Sequence, residues 1–324
     1  LLKLAYGHEW AIIEMGMNHA GEISRLTQMA LPDICLITNT GGVHLEGLGS
    51  IDNVARAKAE IFEGVRKNGT AILFSQDRSK SILQTAAGQH PNIEHTLFFG
   101  SGENSSVCAE EIETRPGTTQ FIVRMDQTVC PVKVNSPARF MVDNCLAAIT
   151  VARSARIDWP EIQMGIQSFT PETGRMNISH LTDDIHLIDD TYNANPDSMV
   201  QALNTLAAVS NGQQTIAILG DMLELGTASE QLHYEVGQRA AALGIEQLFL
   251  FGAQMKAAQT GAADDGMDNA HIFWGSKQEI IASVIAAMVP GAWILVKGSR
   301  GTAMETLVTD LTRQVNRSTR GEEI

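Results

Sequence analysis

Basic residues are scarce in this sequence. Its 23 lysines and arginines stand against 37 aspartates and glutamates, for a formal charge of −14. That excess repels phosphate backbones and anionic lipid, which argues against nucleic acid and membrane surfaces as partners. Cysteine is also sparse: Cys35, Cys108, Cys130 and Cys145 form no Cys-x-x-Cys pair and mostly sit in apolar runs. They read as reduced core residues of a cytoplasmic protein, not as ligands or bridges. A bilayer span needs about 20 apolar residues. The apolar, uncharged stretch at residues 280–296 is interrupted by Pro290-Gly291 and reads as a helix, a turn and a buried strand. There is no secretory signal, internal repeat or low-complexity tract. There is also no initiator methionine, so Leu1-Leu2-Lys3-Leu4 reads as an entry into the middle of a longer sequence. Neither Gly-x-Gly-x-x-Gly after a strand nor Gly-x-x-x-x-Gly-Lys-[Ser/Thr] occurs, and the first absence argues against an NAD-linked oxidoreductase.

The 324 residues exceed one core of usual size, so two domains are expected. With 44% hydrophobic and 19% charged residues the composition is that of a soluble globular protein, not a disordered or fibrous one. Apolar runs alternate with helical periods, which predicts α/β layers with mostly parallel sheets. Residues 11–14, 34–38 and 71–74 read as buried strands. Between Val107 and Val134 short β-branched segments such as Phe121-Ile122-Val123 predict a small antiparallel addition. Helical patterns follow at 138–153 and 159–168, and Pro171-Glu172-Thr173-Gly174-Arg175 then breaks the run. Strands at 185–189, 215–219, 247–251, 271–273 and 293–296 alternate with helices, the pattern of an open twisted sheet covered on both faces. Residues 316–324 are polar and are expected to fray.

Three constellations carry candidate chemistry. Lys58 falls in the apolar stripe of a helix made by Ile51, Val54, Ala55, Ile61, Phe62 and Val65. One reading is a side chain whose methylenes cover the core while its ammonium reaches water. The other is a desolvated amine that can act as a base or take up carbon dioxide as a carbamate. Glu14 and Asn39 lie at predicted strand ends and His44 follows Gly41-Gly42. Carboxyl ends of parallel strands are where α/β sheets bind ligands, so these residues could converge with Lys58 on a hard or borderline cation such as Mg2+ or Mn2+. Each alone also suits an ordinary hydrogen-bonded structural residue.

The second constellation is Asp189-Asp190-Thr191-Tyr192-Asn193-Ala194-Asn195-Pro196-Asp197-Ser198. Asn195 suits a helix N-cap with Pro196 in the first turn. Capping leaves Asp190, Tyr192 and Asn193 unexplained, and these are groups that hold a ribose or an amide. The third is Val296-Lys297-Gly298-Ser299-Arg300-Gly301, where backbone amides with Lys297 and Arg300 could take a carboxylate or phosphate, or form a plain glycine turn with solvated cations. Leu219-Gly220-Asp221-Met222-Leu223-Glu224-Leu225-Gly226 also follows a strand.

Together with Glu14-Met15-Gly16-Met17-Asn18-His19, Thr38-Asn39, His44-Leu45-Glu46-Gly47 and Ala57-Lys58-Ala59-Glu60-Ile61-Phe62, these strings resemble the Mur ligases, ATP-dependent amide-forming enzymes of peptidoglycan synthesis. They occur in the family's order along nearly the whole chain. The resemblance implies residues 1–176 as a central ATP-binding domain lacking its first β-α unit and phosphate loop. It implies residues 177–324 as a Rossmann-like C-terminal domain. Glu14 and His44 then match magnesium ligands, and Lys58 the lysine carbamylated in relatives. Asn39, Asn144, Arg175, Asp190, Tyr192, Asn193 and Asn195 match nucleotide-binding positions, and Lys297 and Arg300 substrate-binding ones. No Asp-Asn-Pro-Arg signature for diaminopimelate or lysine is present, which favours addition of D-alanyl-D-alanine to UDP-N-acetylmuramoyl-tripeptide. The implied cofactors are ATP and Mg2+, and the implied setting is a cytoplasmic monomer. Relatives carry Gly-x-His where this chain has Ala138-Arg139-Phe140, so no direct nucleotide contact is expected from position 140. Two other readings stay open: another ligase of the superfamily, such as a diaminopimelate-adding enzyme or folylpolyglutamate synthetase, or, without the phosphate loop, a binding module inactive by itself.

Overall fold

Apolar runs become strands here only where a neighbour pairs with them. A computed structural model describes residues 4–41, 45–102, 104–125, 128–182 and 184–319. The chain divides into two units. One comprises Leu1–Ile112, Phe121–Val132 and Val142–Ser168, and the other Glu113–Gln120, Lys133–Met141 and Phe169–Ile324.

The first sheet has six strands: β1 (Ile34–Ile37), β2 (Gly69–Phe74), β3 (Ile93–Phe99), β4 (Val107–Arg115), β5 (Thr118–Met125) and β6 (Thr128–Val134), paired in that order. β1 to β4 run parallel. Only Pro116-Gly117 separates β4 from β5, a connection too short for a crossover, so the expected antiparallel addition forms. The helices are α1 (Glu22–Ala30), α2 (Leu45–Leu48), α3 (Ile51–Ala59), α4 (Lys80–Gln89), α5 (Met141–Ser154) and α6 (Trp159–Gln167). Cys35, Ile37, Ala71, Leu73 and Phe98 of the parallel strands pack with Ala55, Phe62, Leu83 and Ala87.

The second sheet contains β7 (Asn177–Thr182), β8 (Ile185–Asp190), β9 (Thr215–Gly220), β10 (Gln247–Phe251), β11 (Ile272–Trp274) and β12 (Trp293–Lys297). Their order is β11-β10-β9-β12-β8-β7, parallel throughout except for β7. Alternate residues of each strand enter opposite cores, as the two-residue period requires. Ala217, Leu219 and Leu295 join Leu203 and Leu206 of α7 (Pro196–Ser210), Val236 and Ala240 of α8 (Ser229–Ala242), and Ala258 of α9 (Met255–Asp264). Ile216, Ile218, Ile294 and Val296 face Ile280 and Val284 of α10 (Lys277–Ala287) and Leu307 and Leu311 of α11 (Met304–Thr319). No described helix is long and apolar enough to cross a membrane.

Three expectations are corrected, and one strand was not foreseen. Residues 11–14 form no strand, and Ile12 is 98% exposed. A continuous apolar run is buried as a parallel strand only with neighbours to pair and cover it, and β1 is the last strand on its side of the described sheet. Met17, a few residues on, is the nearby anchor, packed with Ile23, Val54 and Ala57. The helix bearing Lys58 ends at Ala59 and tightens into a 3-10 turn over Glu60–Gly64, so the stripe does not continue as one α-helix to Val65. β7 is an added antiparallel edge that the sequence pattern did not disclose. Residues 316–319 remain helical in α11, and the rest of the tail lies outside the described residues.

Candidate functional site

The carboxyl ends of β8, β9 and β12 carry the most developed polar arrangement. In the register of the sheet Lys297 lies beside Asp190. Lys297 is only 2% exposed, and its ammonium donates to Asp190 Oδ2 at 2.5 Å and to the Asn193 carbonyl at 2.9 Å. Asp190 Oδ1 accepts the Met176 N–H at 3.0 Å. An ammonium in an apolar core is tolerated only when such partners replace water. The expected substrate lysine is therefore turned inward, where it holds the loop after β8.

That loop exposes Tyr192. The Arg175 guanidinium lies 4.0 Å from its ring centroid and that of Arg300 6.0 Å, so an aromatic face is flanked by two cations. The backbone N–H of Arg300 donates to Asn193 Oδ1 at 3.4 Å, and Arg300 also approaches Glu305 at 3.7 Å. Asn195 caps α7: its side chain accepts the Ser198 N–H at 2.8 Å while the Ser198 hydroxyl accepts the Asn195 N–H at 3.0 Å. The capping reading thus accounts for Asn195, with its amide oxygen already engaged.

Ser299, unassigned from sequence, ties the loops together. Its hydroxyl donates to the Ala194 carbonyl at 3.1 Å and accepts the Leu223 N–H at 2.9 Å, while its own N–H donates to the Asp221 carbonyl at 3.0 Å. Gly298 is required by this crowding, since a Cβ there would stand 2.7 Å from Met304 Cγ and from Thr302 Oγ1. The loop after β9 is fixed from beneath by His233, which is fully buried. Its Nε2 accepts the Met222 N–H at 2.9 Å and its Nδ1 lies 2.7 Å from the Ser229 carbonyl, which assigns the proton to Nδ1. Burial lowers the His233 pKa below the ordinary histidine value, against the Ser229 hydrogen bond and the Asp221 carboxylate. Lys277, also missed, donates to the carbonyls of Thr302 at 2.8 Å and Ala303 at 2.7 Å.

In the other unit, at the carboxyl end of β1, Lys58 Nζ donates to the Asn39 carbonyl at 2.7 Å. Lys58 is half-buried; burial draws its pKa below the ordinary lysine value, and the Asp77 carboxylate partly offsets that. Asn39 is brought to Lys58, through its backbone carbonyl. Glu14 is not: it is exposed in irregular chain, and among the described residues no hydrogen bond or ion pair joins it to Lys58. His44 lies outside the described residues. Asn144 is exposed on α5. Among the described residues no group of three or more histidine, cysteine, aspartate or glutamate side chains is placed to hold a metal.

An α/β unit followed by a doubly covered parallel sheet, with polar loops at the carboxyl strand ends, is an architecture that binds nucleotides and other ligands at those ends. Comparison with known proteins agrees. Residues 1–152 match the Mur ligase middle domain, and residues 174–300 the family described as Mur ligase, glutamate ligase domain. The UDP-N-acetylmuramoyl-tripeptide--D-alanyl-D-alanine ligase of Escherichia coli (strain K12) is 33% identical over 96% of this chain and 67% of its own length. The crystal structure of MurF from Acinetobacter baumannii superposes with a TM-score of 0.87 at 31% identity, covering 96% of this chain and 66% of that one. MurF from Thermotoga maritima in complex with ADP, at 22% identity and a TM-score of 0.78, covers 92% of this chain and 66% of that one and shares the fold. This chain belongs to the Mur ligase family. It spans about two thirds of the length of these relatives.

Proposed function

We propose that the protein containing this chain joins D-alanyl-D-alanine to UDP-N-acetylmuramoyl-tripeptide at the expense of ATP, as a cytoplasmic, monomeric enzyme of peptidoglycan precursor synthesis. Residues 1–176 serve as the ATP-binding domain and 177–324 as the C-terminal domain. The observation that carries the reading is the Tyr192 face between Arg175 and Arg300, set above the Asp190–Lys297 pair at the strand ends. Its chemistry suits a planar base or an anionic group, and the named relatives supply the particular substrates.

A carboxylate resists attack by an amine, because its carbon is shielded by resonance and oxide is a poor leaving group. Phosphorylation by ATP converts the terminal carboxylate of the tripeptide to an acyl phosphate. The dipeptide amine then attacks that carbon, and phosphate leaves from the tetrahedral adduct. Two anions meet in the first step, so fixed cations lower its barrier. Arg175 and Arg300 provide such charge, and Lys297 holds Asp190 and the Asn193 backbone in place. Asn39, Asn144, Tyr192 and Asn193 complete the proposed nucleotide contacts, with Asn195 acting through the cap.

Glu14, His44 and Lys58 are the proposed Mg2+ ligands. A carboxylate, an imidazole and the oxygens of a carbamate would suit a hard cation, and burial shifts Lys58 toward the neutral amine that a carbamate requires, against the Asp77 carboxylate. Mg2+ held by these residues would supply positive charge to offset the negative charge of the ATP phosphates.

The test is ADP release by the complete gene product with ATP, Mg2+ and the UDP-muramyl tripeptide, comparing D-alanyl-D-alanine, diaminopimelate and no amine. Release with D-alanyl-D-alanine alone is expected. Release with diaminopimelate instead assigns another ligase of the family, and nucleotide binding without ADP formation refutes the catalytic reading.

A further inference from the structure

Asp77 follows β2 and is 9% exposed, yet nothing in the sequence marks it out. Both of its carboxylate oxygens are filled. Oδ2 accepts the Thr40 N–H at 2.7 Å, while Oδ1 accepts the Thr40 hydroxyl and the Ser79 N–H, the latter at 2.8 Å. The bond to Ser79 is a local turn of the kind aspartate makes before a helix. The two bonds to Thr40 are different in kind, because they reach 37 residues back along the chain to the loop after β1. Thr40 is 1% exposed, so its donors have no water to fall back on. The residue before it, Asn39, presents its carbonyl to Lys58, and the Asn39 side chain accepts the Gly41 N–H at 3.2 Å.

A single carboxylate therefore holds the N–H end of the same peptide group whose carbonyl, that of Asn39, receives the Lys58 amine. A carbonyl acceptor is useful for aiming an amine only if its peptide plane is fixed. Here the plane is fixed by its own N–H, that of Thr40, on Asp77 Oδ2, and the Thr40 hydroxyl binds the same carboxylate.

We infer that Asp77 is a positioning residue for the site at the carboxyl end of β1: through Thr40 it fixes the Asn39 peptide and so directs the Lys58 side chain. The inference rests on the proposed working role of Lys58. Asp77 touches neither substrate nor reacting atoms in this scheme.

The experiment uses the complete gene product with Thr40→Val, Thr40→Ser, Asp77→Asn and the double variant Asp77→Asn, Thr40→Val. Three quantities are read: steady-state kcat and KM, the rate at which Lys58 is acylated by an amine-reactive ester in carbonate-free buffer, followed by mass spectrometry, and the thermal midpoint. Thr40→Val and Asp77→Asn are each expected to lower kcat by about tenfold or more while the KM for D-alanyl-D-alanine stays within about twofold, the sign of a misplaced working group and not of lost substrate binding. Lys58 is expected to label several-fold faster (roughly 3- to 10-fold) once its acceptor is loosened, as for a group released from a hydrogen bond of about 1 kcal/mol. Thr40→Ser keeps the hydroxyl and restores both quantities to within about twofold of the parent. The double variant is no worse than the weaker single, because both substitutions cut one path.

Wild-type kcat and labelling in Thr40→Val would overturn the inference, as would a Thr40→Ser variant as impaired as Thr40→Val. Should Asp77→Asn fail to fold, the two Thr40 variants still decide. If the parent enzyme releases no ADP, the ligase reading fails by itself, and Lys58 labelling still tests the positioning role.

Discussion

Replacing Lys297 with methionine removes an ammonium from a place that water hardly reaches and leaves its partner behind. The side chains of Lys297 and Asp190 are 3% and 14% exposed, so solvent screening is slight. Methionine fills most of the lysine stem, and the loss is therefore electrostatic and not a cavity. Asp190 keeps the Met176 N–H, but Oδ2 loses its cation and the Asn193 carbonyl loses a donor. Breaking a buried pair from one side costs about 3–5 kcal/mol. Hydrogen exchange at β8 and β12 reads that loss in the sheet concerned: protection should fall by about 10²- to 10⁴-fold, at a decade for each 1.4 kcal/mol. The double variant Asp190→Asn, Lys297→Met should be more protected than Lys297→Met alone, because the orphaned carboxylate is gone. A Lys297→Met change below about tenfold, or a double variant worse than the single, would refute the assignment of Lys297 as the inward anchor of this loop.

Further expectations follow from the same geometry. Lys58→Ala in the complete enzyme should lower turnover by about 10² or more and leave the thermal midpoint nearly unchanged; recovery with a short-chain carboxylic acid supports the carbamate, whereas near-normal turnover removes Lys58 from the site. His233 is neutral in the fold with its pKa lowered, so unfolding takes up a proton once pH drops below the unfolded value of about 6.5. Its contribution is complete above that pH and declines as pH falls toward the lower folded value; His233→Gln should flatten the acid limb of a stability-pH curve, and an unchanged limb would show that His233 does not control it. Burial pushes the thiols of Cys35 and Cys145 up to about 12, so at pH 8 both should resist a maleimide in the native protein while half-exposed Cys108 reacts. Rapid native labelling at Cys35 or Cys145 would contradict their burial.

Much of this molecule was legible from local pattern alone. The parallel strands of the second sheet, though not its antiparallel edge β7, were readable because a fully covered parallel strand is apolar along its length, as Trp293 to Val296 is, and ends at glycine or a polar turn. The cap at Asn195 was equally local: Pro196 and Ser198 lie within the reach of one helical turn. Order along the chain was enough to reveal the family resemblance, since motif strings keep their sequence whatever the packing.

Contacts between residues far apart in sequence were decided elsewhere. The run at 11–14 has the composition of a buried strand but no pairing neighbour, and composition cannot supply one. The inward turn of Lys297 depends on the register that sets it beside Asp190, 107 residues earlier. Ser299, His233 and Asp77 carry no distinctive sequence signal, because a serine, histidine or aspartate becomes a hub only when folding aims separate loops at its few donor and acceptor atoms. The sequence by itself determined which segments are apolar, where they turn and which residue types meet at their ends. Only the tertiary structure decided which of those polar groups face one another and which face water, because hydrogen bonds act over about 3 Å and chain order carries no distances of that scale.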